Sequence, residues 1–201
     1  MQSFSTTLFA DADAEYGSAD YVLFGVPFDG TTSFKAGCRD APLAIRQVSY
    51  NIETYLPYYD LEMTDVSVHD MGDMYVECLP DLMVEQVADA VCDLIKDEKI
   101  PIMMGGEHSV TVGAVQALKP KWYVVCDAHL DMQDEYRGSP FNHDCVTARV
   151  SETVENIVII GARSGCQEEF AYAREHYHLY TADEVEERGI RDVLDEVSGL
   201  I

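Results

Sequence analysis

A ten-residue run in the middle of the chain constrains the fold and the chemistry more than any other segment. Trp122–Cys126 is apolar and is typical of a buried strand, and Asp127, His129 and Asp131 follow it at intervals of two. Alternate residues of a strand point to the same side. We therefore expect these three side chains to share one face, and Cys126 to lie on the other face, in the core. Two carboxylates and an imidazole on a buried face are costly unless cations bind them.

The length of this run indicates more than one ion. Four extended steps of roughly 3.3 Å cover about 13 Å, whereas one ion with ligands at about 2.1 Å is only about 4 Å across. Two ions about 3.5–4 Å apart, with a carboxylate between them, match the length better. The alternative is a strand that ends in a solvated acidic turn.

A second apolar run, Ile100–Met104, ends in a similar way. Two glycines follow it and permit a tight exit from a strand, and Ser109 is placed to cap a helix that reaches Leu118. His108 would then lie at the carboxyl end of a strand, where open α/β sheets place their ligands. A single histidine there is most often a structural residue, but together with the first run it becomes a candidate fourth ligand.

These motifs resemble those of the ureohydrolase superfamily of arginases and agmatinases. The matching segments are, in chain order, Gly25–Asp29, Ser33–Arg46, Asp70–Asp73, Gly105–Ser109 and Asp127–Asp131. The resemblance implies an arginase-like α/β fold, a three-layer αβα domain with a mainly parallel sheet. We expect residues 1–201 to form a single domain of this kind that is incomplete at its carboxyl end.

The resemblance also implies a role for each candidate residue. His108 and Asp131 would bind one manganese ion and His129 the other, and Asp127 would bridge the two. A water ionised between the cations would attack the guanidinium carbon and release urea. His143 matches a histidine beside the family's site and would carry a proton to the leaving amine, although Asn and Asp flank it here in place of the commoner His-Gly pairing. The resemblance identifies no substrate-binding residue.

One part of the family pattern is absent from residues 1–201. The family carries a third motif, Ser-x-Asp-x-Asp, which supplies a second bridging carboxylate, and a later glutamate that holds the guanidinium group. The sequence ends at Ile201, about where that strand is expected. We therefore expect the second metal site to be incomplete. A truncated, non-catalytic metal-binding protein is the alternative to an active enzyme.

The choice of substrate depends on the residues that follow Asp131. Asp134 and Glu135 would favour an ammonium group and oppose the α-carboxylate of arginine, whereas Arg137 acts in the other direction. The segment as a whole resembles archaeal-type agmatinases more than arginases. We expect agmatine, a small cationic guanidino substrate, to be hydrolysed to putrescine and urea in polyamine biosynthesis. Arginine or another guanidino acid is the alternative.

The charge of the chain argues against several kinds of partner. It has 13 Lys and Arg against 37 Asp and Glu, a formal net charge of −24, which repels nucleic acids and anionic membranes. No segment reaches the roughly 18 apolar residues of a membrane span. The amino terminus lacks signal-peptide features. The six cysteines form no CxxC pair, which argues against zinc-ribbon and thioredoxin motifs. We expect a cytoplasmic protein, homo-oligomeric when complete. Such a high density of acidic residues also suits a high-salt cytoplasm, because salt screens their mutual repulsion. A very soluble mesophilic protein is the alternative.

Apolar strand-like runs alternate with helical stretches, which is typical of a parallel sheet covered by helices. The expected strands are Tyr21–Val26, Val66–His69, Ile100–Met104, Trp122–Cys126, Asn156–Ile160 and His178–Tyr180. The expected helices are Ala41–Tyr50, Asp81–Lys96, Ser109–Leu118, Asp144–Val150, Gln167–Glu175 and Ala182–Arg188.

Overall fold

The computed structural model of the chain describes residues 7–201, so most of the segment expected not to be a signal peptide lies outside the described residues. The chain forms two compact units, unit 1 (Met1–Leu118) and unit 2 (Lys119–Ile201). Each contains a three-stranded parallel sheet with helices in its crossover connections. The expected fold class, a mainly parallel α/β architecture, is confirmed. That residues 1–201 are one domain stays a prediction.

Unit 1 is built around one central strand. Its elements are β1 (Tyr21–Val26), α1 (Ala41–Ser49), β2 (Tyr55–Leu56), β3 (Leu61–Glu62), β4 (Val68–Asp73), α2 (Pro80–Lys96), β5 (Ile100–Gly105) and α3 (Val110–Leu118). The parallel sheet has the order β4-β1-β5, and β2 and β3 form a separate antiparallel hairpin. β1 is buried at five of its six positions because it is apolar on both faces and lies between two neighbours.

The helices of unit 1 pack closely because of one glycine. α2 begins with Pro80, whose fixed φ suits the first turn of a helix. A Cβ at Gly113 of α3 would lie 2.4 Å from the backbone oxygen of Val84, so glycine lets the two helices approach. The buried side of α2 is formed by Met83, Val84, Val87, Val91 and Leu94.

Unit 2 repeats the strand-helix alternation. Its elements are β6 (Trp122–Cys126), α4 (Val146–Ser151), β7 (Asn156–Ala162), α5 (Gln167–His176), β8 (His178–Thr181), α6 (Ala182–Arg188) and α7 (Ile190–Leu200). The sheet has the order β6-β7-β8 with β7 in the centre. A cluster of Val158, Ile160, Tyr180, Val193 and Val197 fixes α7 against β7 and β8.

The expected elements are all present, with shifted ends. β4 begins two residues later than predicted and continues to Asp73, and the helix predicted from Asp144 begins as a 3-10 turn, His143–Cys145, before α4. Further 3-10 helices cover Tyr16–Ser18, Cys38–Asp40 and Met63–Asp65. The β2–β3 hairpin and α7 were not predicted from the sequence. Among residues 7–201, no helix combines the length and the apolar character needed to cross a membrane.

Candidate metal centre

The candidate ligands of unit 2 lie in a turn after β6. The backbone N–H of Asp127 still donates to the oxygen of Ile160 on β7, at 3.1 Å. The strand itself ends at Cys126, and Asp131 has a left-handed backbone with φ of 50°. The predicted continuation of the strand to Asp131 was therefore wrong, although a carboxylate oxygen of Asp127 and one of Asp131 lie within 4.8 Å of each other. Cys126 is exposed, so its predicted place in the core was also wrong.

A local turn brings Asp127 and His129 together. The backbone N–H of His129 donates to Oδ1 of Asp127 at 2.9 Å, and Nδ1 of His129 lies 3.4 Å from the same oxygen. Asp side chains commonly accept a hydrogen bond from the backbone two residues later. This turn, in place of strand alternation, therefore brings Asp127 and His129 together. The side chain of His129 is exposed to solvent.

Asp131 is held more firmly. Its carboxyl group is buried, and the preceding Leu130 is almost completely enclosed. The backbone oxygen of Asp131 accepts hydrogen bonds from Thr147 and Ala148 in the first turn of α4, at 2.9 and 3.3 Å. The residue is thus fixed by the chain on both sides, and the burial of its carboxylate would be less costly beside a bound cation.

His143 and Asp144 enter the same region of unit 2. The side-chain oxygen of buried Asn142 accepts from the backbone N–H of Asp144, and its amide donates to the oxygen of Tyr136. The rings of His143 and Tyr136 meet edge to face, with centroids 6.1 Å apart. These contacts fix the 3-10 turn that carries His143.

Negative charge accumulates around this turn. Burial raises the pKa of the Asp144 carboxyl, and the nearby carboxylates of Asp131 and Glu169 raise it further. Burial also raises the pKa of Tyr123 on β6, and the negative charges of Asp131 and Asp127 raise this pKa further. Burial is the largest cause of each shift and the neighbouring carboxylates add to it; a bound cation would relieve the contribution of the carboxylates.

His108 belongs to unit 1, in the turn between β5 and α3. The backbone N–H groups of Gly106 and Glu107 donate to the oxygens of Val26 and Phe28 at 2.9 and 2.8 Å. A Cβ at Gly106 would lie 1.9 Å from the oxygen of Phe28, so only glycine permits this approach. The turn that presents His108 is therefore fastened to the segment after β1.

Glu107 adds a side-chain clamp that the sequence analysis missed. Its buried carboxylate accepts from the backbone N–H of Thr31 at 2.9 Å and from the Thr31 hydroxyl at 2.5 Å. The hydroxyl of Ser109, which was expected to cap α3, donates to the same carboxylate at 2.6 Å. An acid directly after two glycines at the end of an apolar strand was the available signal, because such a group is buried only with donors around it.

The loop that contains Thr31 has a second buried carboxylate. Asp29 accepts from the backbone N–H of Gly37 at 2.8 Å and from Nε of Arg39 at 2.5 Å. Arg39 holds the pKa of the Asp29 carboxyl below its usual range. Gly37 has φ of 132°, where side chains other than hydrogen are strained. The loop is thus closed on itself between Asp29 and Arg39, with Phe34 fully exposed.

Comparison with known proteins gives consistent matches along most of the chain. A sequence profile of the arginase family matches residues 19–201. The N(1)-aminopropylagmatine ureohydrolase of Thermococcus kodakarensis is 48% identical over 160 residues, and the agmatinase of Pyrococcus horikoshii is 44% identical over 161 residues. These matches cover 78% and 77% of this chain.

The fold is similar to that of solved structures as well. The crystal structure of agmatine ureohydrolase from Thermoplasma volcanium superposes with a TM-score of 0.89 at 38% sequence identity, covering 97% of this chain and 68% of that one. The matched region spans 56% of the length of each of the two relatives named above.

Proposed function

The chain belongs to the arginase family, and we propose that it is an agmatinase-type ureohydrolase, which hydrolyses a guanidino group to an amine and urea. The observation that carries this proposal is the identity of 48% and 44% to two archaeal relatives named for agmatine or its aminopropyl derivative. The place in polyamine metabolism, the cytoplasmic location and assembly into a homo-oligomer are parts of the same proposal.

The proposed metal ligands are His108, Asp127, His129 and Asp131. They offer imidazole nitrogen and carboxylate oxygen without a thiolate, a donor set that suits manganese. Burial raises the pKa of Asp144, and the carboxylates of Asp131 and Glu169 add to this shift; the concentration of carboxylates supports a cationic occupant in unit 2. Manganese bound there would lower the pKa of a coordinated water and supply hydroxide at neutral pH.

The chain's own residues would prepare and complete the reaction. The His129 turn and the anchored backbone of Asp131 fix two donor groups before any ligand binds, which lowers the entropy cost of binding. Glu107 fixes the turn that carries His108. We propose that His143, whose turn is held by Asn142, delivers a proton from its ring to the departing amine nitrogen.

The substrate is proposed to be agmatine, with N(1)-aminopropylagmatine as the second candidate because of the 48% identical relative. The charge argument from the sequence is weaker than expected, since Asp134 forms an ion pair with Arg149 at 2.5 Å. Glu135 remains an exposed acid beside the ligand turn. Both candidate substrates are cations without a carboxylate, which distinguishes them from arginine.

A metal-binding experiment tests the centre without requiring turnover. Manganese binding by residues 1–201 would be measured by calorimetry for the unmodified chain, for Asp127→Asn and for Glu155→Gln, a control with the same charge change at an exposed site. We expect Asp127→Asn to weaken binding at least about tenfold, since loss of a group that only orients a ligand already costs roughly 10–100-fold, and the control to bind as the unmodified chain does. Equal binding by all three would refute the assigned ligands.

Urea release tests the activity. The complete gene product and residues 1–201 would be assayed with manganese and with agmatine, N(1)-aminopropylagmatine or arginine, at low and high salt. We expect turnover by the complete product on the first two substrates to exceed turnover on arginine. We expect none from residues 1–201 alone, in which only one bridging carboxylate of the family pattern is present. A preference for arginine would refute the agmatinase assignment, and turnover by the short chain would refute the second expectation.

A further inference from the structure

The peptide group that joins Asp131 to Met132 is held at both of its polar ends. Its oxygen accepts hydrogen bonds from the backbone N–H groups of Thr147 and Ala148 in α4. Its N–H, which belongs to Met132, donates to Oε1 of Glu169 at 3.2 Å. Glu169 lies in the first turn of α5 and is half-buried. The peptide plane that follows the proposed ligand Asp131 is therefore fixed from two helices.

This attachment matters because Asp131 has an uncommon backbone conformation. Its φ of 50° lies in the left-handed region, which an aspartate tolerates but does not prefer. Such a conformation persists where the surrounding contacts determine it. The backbone angles at Asp131 also set the direction of its Cβ and carboxylate. A change at the Met132 N–H would therefore move a donor group of the ligand turn, residues 127–131.

The same carboxylate holds a second segment of the chain. Oε2 of Glu169 accepts from the backbone N–H of Cys166 at 2.7 Å, as part of the capping box at the start of α5. The loop before α5 is bonded to the ligand turn as well, since the N–H groups of Arg163 and Ser164 donate to the oxygen of Ala128 at 2.8 and 2.9 Å. The ligand turn is thus attached to this loop by its backbone near one end and by Glu169 at the other.

The bond from Glu169 to Met132 exceeds what the helix requires. A capping box needs one acceptor for the N–H of the cap residue, and Oε2 already provides it. The packing around the carboxylate is also close. A Cβ at Gly165 would lie 3.2 Å from Oε2 of Glu169 and 3.2 Å from Cδ1 of Leu130, the buried residue that precedes Asp131. Oε1 therefore serves the ligand turn and not the helix.

We propose that Glu169 is a positioning residue of the metal centre, which holds the Met132 N–H and thereby sets the direction of the Asp131 carboxylate. It acts through the backbone and contacts neither the metal nor the substrate. The inference rests on the proposed function, because it takes Asp131 as a metal ligand. Groups that orient metal ligands without binding the metal contribute roughly 10–100-fold to metal affinity or activity.

Two substitutions at this position and one control test the role. Glu169→Gln keeps the length of the side chain but has a single acceptor oxygen, so it cannot accept from Met132 and Cys166 together. Glu169→Ala removes both bonds. Glu175→Gln is the matched control, with the same change of charge at an exposed position of the same helix. Circular dichroism and thermal melts of the complete gene product establish that each variant is folded, and Glu169→Gln is sufficient if Glu169→Ala does not fold.

Manganese affinity is the first measurement, by calorimetry well below the melting temperature of each variant. Under these conditions a loss of stability alone does not change the affinity. We expect Glu169→Gln to weaken manganese binding about tenfold and Glu169→Ala at least as much, and Glu175→Gln to bind as the unmodified protein does. The electron paramagnetic resonance spectrum of the bound manganese, which reports the arrangement of its ligands, should change only in the Glu169 variants. Equal affinities and equal spectra in all four proteins would overturn the proposal.

The metal-free protein provides a second measurement. The bond to Glu169 protects the amide hydrogen of Met132 from exchange with solvent. Hydrogen exchange followed by mass spectrometry should therefore show faster exchange at Met132 in Glu169→Ala than in the unmodified protein and in Glu175→Gln. Unchanged exchange at this amide would contradict the attachment on which the proposal depends.

Kinetics with saturating manganese separate positioning from substrate binding. We expect kcat for urea release from agmatine to fall about tenfold in Glu169→Gln, with KM changed by less than about twofold. A raised KM with unchanged metal affinity would show that Glu169 binds the substrate, and would overturn the positioning role. An unmodified protein that binds no manganese would refute the proposed centre and this inference together. Normal binding by the unmodified protein and by both Glu169 variants would refute this inference alone.

Discussion

Arg46 and Asp70 form a two-contact ion pair in the interior of unit 1, with neither side chain exposed. Nε of Arg46 lies 2.7 Å from Oδ2 of Asp70, and the terminal nitrogen Nη2 lies 2.9 Å from Oδ1. Asp70 also accepts from the backbone N–H groups of Phe9 and Gly72 at 2.6 and 2.8 Å. Burial alone would lower the pKa of Arg46, but Asp70 and Asp73 raise it above its ordinary value.

Removal of this arginine should be among the most destabilising single changes in unit 1. Arg46→Ala leaves two carboxylates without their cation, and we expect the free energy of unfolding to fall by about 3–5 kcal/mol. Urea denaturation followed by circular dichroism measures the change. Lys96→Ala is the control, because Lys96 and its partner Asp93 are both exposed and solvent screens their ion pair, so its loss should change stability far less. Equal losses in the two variants would contradict the role given to burial.

The contact between Glu107 and Thr31 should be measurable as a coupling energy. A double-mutant cycle with Glu107→Ala and Thr31→Val isolates the hydroxyl–carboxylate hydrogen bond, and we expect about 1–3 kcal/mol. As a control, Glu107→Ala would be combined with Thr54→Val, since the Thr54 hydroxyl donates to Glu62 of β3. That pair should be additive within about 0.5 kcal/mol. A coupling near zero for Thr31 would show that the clamp does not stabilise the fold.

Replacement by alanine, which adds one methyl group, should have opposite effects on stability at two of the glycines. In Gly106→Ala the new Cβ would meet the backbone oxygen of Phe28, and we expect a loss of about 2 kcal/mol or more of unfolding free energy. In Gly199→Ala the new Cβ meets nothing within 4 Å, and alanine favours the helical backbone of α7 by up to about 1 kcal/mol. Thermal melts of both variants give the comparison. A stable Gly106→Ala protein would show that the turn is not fastened as closely as described.

Asp29 should contribute stability that depends on pH. The pKa of its carboxyl is lowered in the folded protein by Arg39, so the ionised form is favoured by folding. The contribution of Asp29 to stability is therefore complete above a pH of about 3.9, the ordinary pKa of an aspartate. It is lost as the pH falls through the lower pKa that Asp29 has in the folded protein. The free energies of unfolding of Asp29→Asn and of the unmodified chain should differ at pH 7. They should converge once the pH is below the pKa of Asp29 in the folded protein. A difference that is constant with pH would refute ionic stabilisation.

The sequence was sufficient for the parts of the fold that periodicity determines. β1 and β7 are apolar on both faces, and both are central strands. α7 was missed although its apolar residues recur at helical spacing; a glycine lies near each of its ends, at 189 and 199. Gly189 is in fact the residue between two helices, and Gly199 lies inside the last turn of the second.

The candidate centre was predicted less completely, for a physical reason. Spacing of two along the chain fits a strand, but it fits an aspartate turn equally well, and only the turn places the His129 N–H on Asp127. Glu107 and Asp29 were missed as structural residues because their partners, Thr31 and Gly37, are far from any helix or strand pattern. Long-range hydrogen bonds of loops leave no periodic signal in a sequence.

The clamp at Glu107 also limits how this protein can change over evolution. One carboxylate joins the loop after β1 to the turn that carries His108, so neither segment can be exchanged as a separate module. A loop taken from a relative would be held in the same place only if it also brought a donor at position 31. Changes in these two distant segments of the gene would therefore be tolerated mainly when they occur together, and single loop substitutions would mostly cost stability.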